Sequence, residues 1–397
     1  MTNNIKKSVL CDLVSRHSDF NFEQFIATTK SEDYDTWNGY CLPMHYSDAE
    51  EEYKAIRNSC AIFDASPMKK YRLRGADAGQ FLDKLLTSPM SNMPIMRSSY
   101  GLICNEQGMM IDDGIVYRYA EDDYLFLISE VDHDQHFDKI NNFDNLTITE
   151  ETAGLAGLAI QGPKSCIVLN QFGFSGIENL KPFELKYFEL DGHKILTGRV
   201  GFTGDLGYEI WFSPDAIEAV TKAFVEAENK LSIQIPGYAL TALQICRIEA
   251  GMIVPGWDTA GEFTDLDNER TPYELTLGWN VKLDRDVEFI GKKALAEQKA
   301  NGPRFRMKGI LINQQCSIEE GQHLYTNIKG EQVQIGTLPS LVWNASEQQW
   351  IGFASLKIAY VNSDKCFIID EEKAIDCTIC KLPFINLEHR NQVPAAL

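Results

Sequence analysis

Residues 105–116 read Asn-Glu-Gln-Gly-Met-Met-Ile-Asp-Asp-Gly-Ile-Val. Two adjacent acids, Asp112 and Asp113, stand at the start of an apolar strand, where neighbouring side chains point to opposite faces. One carboxylate is then expected toward solvent and the other inward. An inward carboxylate in a cleft can accept a proton or anchor N–H groups. Strand-like segments at 100–104 and 114–119 flank the tight, glycine-containing connection. Taken alone, the pair would be an acidic turn closing a hairpin, so its surroundings decide.

The chain has 397 residues, with 37 Lys and Arg against 57 Asp and Glu, a formal charge of −20. At roughly 150 residues per domain this length suggests two or three domains. Apolar residues make up 44% and charged residues 24%, which excludes disorder and collagen-like repeats. The acidic balance argues against a nucleic-acid partner, which needs clustered Lys and Arg. Most of the acid, as at 48–52 and Glu150-Glu151, is expected on the surface. No apolar run reaches the ~18–20 residues of a membrane helix, so no membrane partner is expected. The first 20 residues lack the apolar block of a signal peptide. A cytoplasmic protein with reduced thiols is the expectation.

Cys377-Thr-Ile-Cys380 has no second ligand pair at suitable spacing and reads as part of a strand. The seven histidines form no HExxH cluster. His133 and His136, within the acidic stretch 132–138, read as a solvated loop or helix start. No metal site is predicted.

Residues 1 to about 35 read as a loose lead-in. Helical patterns cover 48–59, 77–87 and 238–249, and Ser213-Pro-Asp215 starts another helix with Ile217, Val220, Phe224 and Leu231 on one face. Strands are expected at 61–64, 70–74, 124–128, 157–160, 194–200 and 207–212. Near Asn301-Gly-Pro303 the composition shifts to short strands with turn signals, such as Lys329-Gly330. There is no GxGxxG after a strand, no GxxxxGK[ST], no GxSxG and no kinase signature.

The acid pair is accompanied by Ser98-Ser-Tyr100-Gly-Leu-Ile-Cys-Asn105, Ile160-Gln-Gly-Pro163, Gly201-Phe-Thr-Gly-Asp-Leu-Gly-Tyr-Glu209, Cys246-Arg-Ile-Glu-Ala-Gly251, Thr271-Pro-Tyr-Glu-Leu-Thr-Leu-Gly-Trp279-Asn-Val-Lys-Leu-Asp284 and Phe289-Ile-Gly-Lys292. Together, in this order and spacing from about Tyr53 to Phe384, they resemble the aminomethyltransferase family: the glycine-cleavage T-protein and related tetrahydrofolate-dependent demethylases. The resemblance implies an α+β fold, a three-domain cloverleaf of antiparallel sheets and helices. It implies two interleaved folate-binding domains over residues 1–300 and a C-terminal β-barrel over 301–390. It further implies tetrahydrofolate in a central opening, with no metal and no covalent intermediate. By this likeness Asp113 lies near the reactive pterin nitrogens and is the candidate catalytic residue. Tyr100 and Glu209 match pterin-contacting positions, with Glu209 on the amino-pyrimidine edge, since a carboxylate accepts two parallel N–H donors. Phe202 stands where the family often has Tyr, Ser129 where the T-protein has Asn, and Met68 matches a channel-lining Met. Folate's glutamate tail is anionic, so a locally basic cleft mouth is expected.

Some positions depart from the T-protein. Pro67 replaces a His, and Leu243-Gln244 replaces an Arg-Asp on the donor side. The Tyr-Gly-x-Asp pattern becomes Pro255-Gly-Trp-Asp258, followed by an acidic run at 261–269. The end, Lys381-Leu-Pro-Phe384, resembles the demethylases. The folate half is thus better kept than the lipoyl half. The expected activity is a demethylase moving a methyl group from an S-, N- or O-methylated small molecule to tetrahydrofolate, giving 5-methyltetrahydrofolate. Trp257 is the donor-side candidate, because an indole face attracts a sulfonium or quaternary ammonium. The alternatives are a glycine-cleavage T-protein working on a lipoylated carrier, and a folate-binding regulator without turnover. The donor's identity stays open, and a monomer or a homodimer fits equally.

Overall fold

The computed structural model describes residues 5–30, 33–129, 133–260, 269–314, 316–370 and 373–394. The acidic run at 261–269 lies almost wholly outside them. The architecture is α+β with antiparallel sheets and a C-terminal barrel.

The first five-stranded sheet has the spatial order Arg97–Cys104, Met110–Ala120, Asp123–Ile128, Lys69–Arg74, Thr147–Glu150. The second has the order Leu185–Leu190, His193–Gly198, Gly207–Phe212, Ala156–Gln161, Ala61–Asp64. Every neighbouring pair in both sheets is antiparallel. All strands of the first sheet fall in the chain between Ala61–Asp64 and Ala156–Gln161, so the two sheets interleave in sequence. Helix Ala78–Leu85 covers one face of the first sheet through Phe81, Leu82 and Leu85, which bury against Val116 and Phe126. The other face meets the second sheet across Leu125, Leu127, Leu185, Leu196 and Trp211.

Six further strands close a barrel between Phe305–Ile312 and Lys373–Cys380. In it His323–Ile328 and Glu331–Asn344 form a hairpin. Lys329 (φ 52°) and Gly330 (φ 88°) turn it, two positive-φ residues as a tight hairpin turn demands. Cys377 and Cys380 both sit on strand Lys373–Cys380. One apolar cluster joins both five-stranded sheets and the barrel. It contains Tyr53 and Ile56, Phe63, Leu102 and Met110, Ala242 and Ile245 of helix Leu240–Glu249, and Met307, Val342 and Phe353 of the barrel. The candidate site lies against this junction. Among the described residues no helix is long and apolar enough to cross a membrane.

Two expectations are overturned. The N-terminal segment is not a loose lead-in: Leu10, Leu13 and Val14 are buried in the core of the second sheet, around the single turn Cys11–Val14. Three apolar residues over one turn are too few to show as periodicity. The acids at 48–52 are not all on the surface either. Glu52 is buried and its carboxylate accepts the backbone N–H of Tyr46 (2.7 Å), Ser47 (3.0 Å) and Ala239 (2.9 Å). Helix Ala49–Asn58 begins as its sequence asks, with the Asp48 side chain accepting from the N–H of Glu50 and Glu51, both at 3.0 Å. Asp48→Ala is expected to cost about 1 kcal/mol, seen as a thermal midpoint lower by about 2 °C.

Candidate functional site

Strand register builds the centre of the site. Asp113 pairs with Leu102, and Tyr100 pairs with Ile115. Tyr100 and Asp113 are therefore diagonal neighbours on one face, within reach of a long side chain. The Tyr100 hydroxyl donates to Asp113 Oδ2. Between the acids and the apolar run, Gly114 is required: a Cβ there would lie 2.3 Å from the Leu127 carbonyl oxygen. The Tyr100 carbonyl accepts from Asn280 Nδ2 at 2.8 Å, and Asn280 Oδ1 accepts from Thr87 Oγ1 at 2.8 Å. Trp279, 60% exposed, stacks on the Tyr100 ring at 6.0 Å. Beyond it a surface depression is lined by Tyr273, Trp279, Gln298, Lys299 and Arg306. Its two cations stand out on a chain of −20.

Burial pushes the Asp113 carboxyl up to about 8, helped by the charges of Asp112 and Asp258 and opposed by the Tyr100 hydrogen bond. Asp113 is thus poised to change protonation near neutral pH, as a group that moves protons must be.

Further along the same strand face, Tyr117 is fully buried and its hydroxyl donates to Glu209 Oε2 at 3.2 Å. Trp211 Nε1 donates in turn to the Tyr117 oxygen at 3.2 Å. Asp113 and Tyr117 are four residues apart on one strand, about 13 Å. Burial raises the Glu209 carboxyl to about 7, against the pull of Tyr117 and Trp211. The Glu209 side chain keeps unpaired acceptor capacity, because a carboxylate takes about four hydrogen bonds.

The remaining predicted residues are placed differently. Ser129 donates from Oγ to Asp112 Oδ1 at 3.1 Å, behind Asp113. Met68 packs against the apolar layer between the sheets, beside Tyr117 and Trp211. Its carbonyl accepts from the buried Lys70 Nζ at 2.8 Å, which also binds the Ser66 carbonyl at 2.7 Å. Phe202 is 36% exposed. Trp257 already has a cation over its ring, the Arg247 guanidinium at 5.6 Å. One indole face is therefore taken by the protein itself. Leu243 packs in the apolar junction, so no cation stands at that position.

Three features escaped the sequence. Neither acid of the pair points to open solvent: Asp112 is fully buried, bound by His133 Nε2 at 2.7 Å. His133 does begin a helix, Asp134–Ile140, but is itself fully buried. Arg247 and Asp258 form a buried ion pair at 2.5 Å, with the barrel's Ser340 bound to both. A signal existed only for Asp258, which ends the quoted Pro-Gly-Trp-Asp pattern. Among the described residues no group of three or more His, Cys, Asp or Glu could hold a metal ion.

The GCVT N-terminal domain family matches residues 28–285. The aminomethyltransferase of Halothermothrix orenii is 31% identical over 351 residues, covering 88% of this chain and 95% of its own. That of Pseudothermotoga lettingae is 29% identical over 349 residues, covering 87% and 92%. The crystal structure of the glycine cleavage system aminomethyltransferase T from Bartonella henselae superposes with a TM-score of 0.79, over 96% of this chain and 98% of that one, at 23% identity. Interleaved antiparallel sheets and a closing barrel are thus a fold shared with a solved aminomethyltransferase. The chain belongs to the aminomethyltransferase family.

Proposed function

We propose that this chain transfers a one-carbon unit to tetrahydrofolate as an aminomethyltransferase of the glycine-cleavage type. The observation that carries the reading is the Tyr100–Asp113 pair, with Glu209 on the same side of the strand and both carboxyls raised toward neutral pH. Glu209 would hold the pterin's amino-pyrimidine edge. Asp113 would face the reactive nitrogens, take their proton and stabilise the positive charge that develops there. In the overall reaction an aminomethyl thioether of a carrier's lipoyl arm loses its C–S and C–N bonds. Two C–N bonds form to the folate nitrogens. The two protons released leave on the dihydrolipoyl sulfur and on ammonia, giving 5,10-methylenetetrahydrofolate. The relatives' names and the extent of the match favour this donor over a small methylated molecule.

One observation favours the second reading, a demethylase. Leu243, packed in an apolar cluster, replaces a donor-side arginine. Incubation with tetrahydrofolate and either an aminomethyl-lipoyl carrier or a panel of S-, N- and O-methylated compounds decides. 5,10-methylenetetrahydrofolate with the carrier supports the proposal. 5-methyltetrahydrofolate from one small donor replaces it with the demethylase, and silence with retained folate binding leaves a regulator.

Glu209→Gln is expected to raise the Kd for tetrahydrofolate about tenfold, the loss of a charge-assisted pair of hydrogen bonds. Two N–H donors from the pterin favour ionised Glu209, so binding lowers its pKa from about 7. Affinity should therefore tighten as pH rises from 6 to 8, and the Gln variant should lose that dependence. Calorimetric titration at several pH values measures both.

A further inference from the structure

Asp113 is anchored from behind. Asp112 is fully buried on the opposite face of strand Met110–Ala120, and three donors converge on its carboxylate. Oδ1 accepts the backbone N–H of Asp113 at 2.8 Å and Ser129 Oγ at 3.1 Å, while Oδ2 accepts His133 Nε2 at 2.7 Å. In the tautomer that pairs with a carboxylate, His133 carries its proton on Nε2. The ring is fully buried and its Nδ1 has no hydrogen-bond partner among the described residues. A buried polar ring with one nitrogen unmatched is costly to keep. Its place is set by helix Asp134–Ile140, which docks through Phe137 against Tyr71 at 4.9 Å and Phe81 at 5.6 Å.

We propose that His133 is a positioning residue for the one-carbon transfer: through Asp112 it fixes the backbone beneath Asp113 and so holds the Asp113 carboxyl against Tyr100. The inference rests on the tetrahydrofolate reading above. Removing the His133 N–H takes away the shortest of the three bonds on Asp112, and with it a restraint on the carboxylate that holds the Asp113 backbone N–H. The Asp113 side chain then loses its fixed place opposite the Tyr100 hydroxyl.

Asp113 faces Tyr100 from strand Arg97–Cys104 and Asp258 from the segment after helix Leu240–Glu249. The His133 ring faces that of His136 at 5.6 Å. Asp134 and Lys139 share its helix, and Tyr71 reaches Asp134 from strand Lys69–Arg74.

The test compares kcat and KM for the wild type, His133→Leu, His133→Gln and Ser129→Ala, with tetrahydrofolate and whichever donor class turns over. His133→Leu should lower kcat about tenfold, with KM for tetrahydrofolate within about threefold. His133→Gln, whose amide N–H can take the place of Nε2–H, should restore kcat. Ser129→Ala should lower it by less, and it carries the test if His133→Leu does not fold. An unchanged kcat per folded molecule in these variants, with activity falling only as the folded fraction falls, overturns the role and leaves His133 a packing residue. A wild type that turns over neither donor class overturns the one-carbon-transfer reading itself, and this inference with it.

Discussion

Asp113→Asn is expected to lower kcat at least ~100-fold while the Kd for tetrahydrofolate stays within about threefold. Asparagine has the same shape, and its Oδ1 still accepts the Tyr100 hydroxyl. What it loses is the negative charge and the ability to take a proton. A positioned general base contributes ~10²- to 10⁴-fold, so the lower bound corresponds to about 2.7 kcal/mol of barrier. The pH profile adds a signature that misfolding does not mimic. Burial and the neighbouring Asp112 hold the Asp113 carboxyl up at about 8. The ionised, active form then grows as pH rises, so wild-type kcat should climb with pH through the ionisation of Asp113 in the bound complex and level off above it. The Asn variant should be flat across that range. Product formation between pH 6 and 9.5 measures both effects, and near-normal turnover by Asp113→Asn would remove the residue from the chemistry.

The pair at the centre of the site was legible because it depends on local rules. Strand alternation puts Asp112 and Asp113 on opposite faces, and a short hairpin brings Tyr100 back onto the Asp113 side. Glu209 was legible only through resemblance. The contact that orients it comes from Tyr117, 92 residues away in the chain and in a different sheet. His133 was opaque for a related reason. A lone histidine among acids looks solvated, and only the docking of its helix through Phe137 carries it under the sheet. Glu52 misleads in the same way. It is one acid in a run of three, Glu50 to Glu52, yet three backbone N–H groups draw it inside. For Trp257 the sequence showed an available indole, whereas the fold supplies Arg247 to one face of it. In each case the missing information is a partner brought by tertiary packing, which no window along the chain contains.

Glu249→Ala is expected to destabilise the protein by about 3–5 kcal/mol, the range for removing one partner of a buried ion pair. Glu249 ends helix Leu240–Glu249 and is only 4% exposed. Its Oε1 accepts from Tyr53 Oη at 2.8 Å and from the barrel's Asn344 Nδ2 at 2.9 Å. Its Oε2 accepts from Arg57 Nη2 at 2.5 Å and Nε at 3.1 Å. Arg57 reaches on to Asp205 Oδ2 at 2.5 Å and the Thr203 carbonyl at 2.8 Å, in the loop before strand Gly207–Phe212 that carries Glu209. One carboxylate therefore ties helix Ala49–Asn58, the barrel and the second sheet at the apolar junction. Alanine leaves Arg57 with one anion and strands the Tyr53 and Asn344 donors without water to replace it. Glu249→Gln separates the contributions. It keeps the Oε1 acceptor for Tyr53 and Asn344 but gives up the charge facing Arg57, so its loss should fall between wild type and alanine. Urea unfolding followed by Trp fluorescence ranks the three. Equal midpoints for Glu249→Ala and the wild type would show that the apolar junction alone holds the sheets and the barrel together.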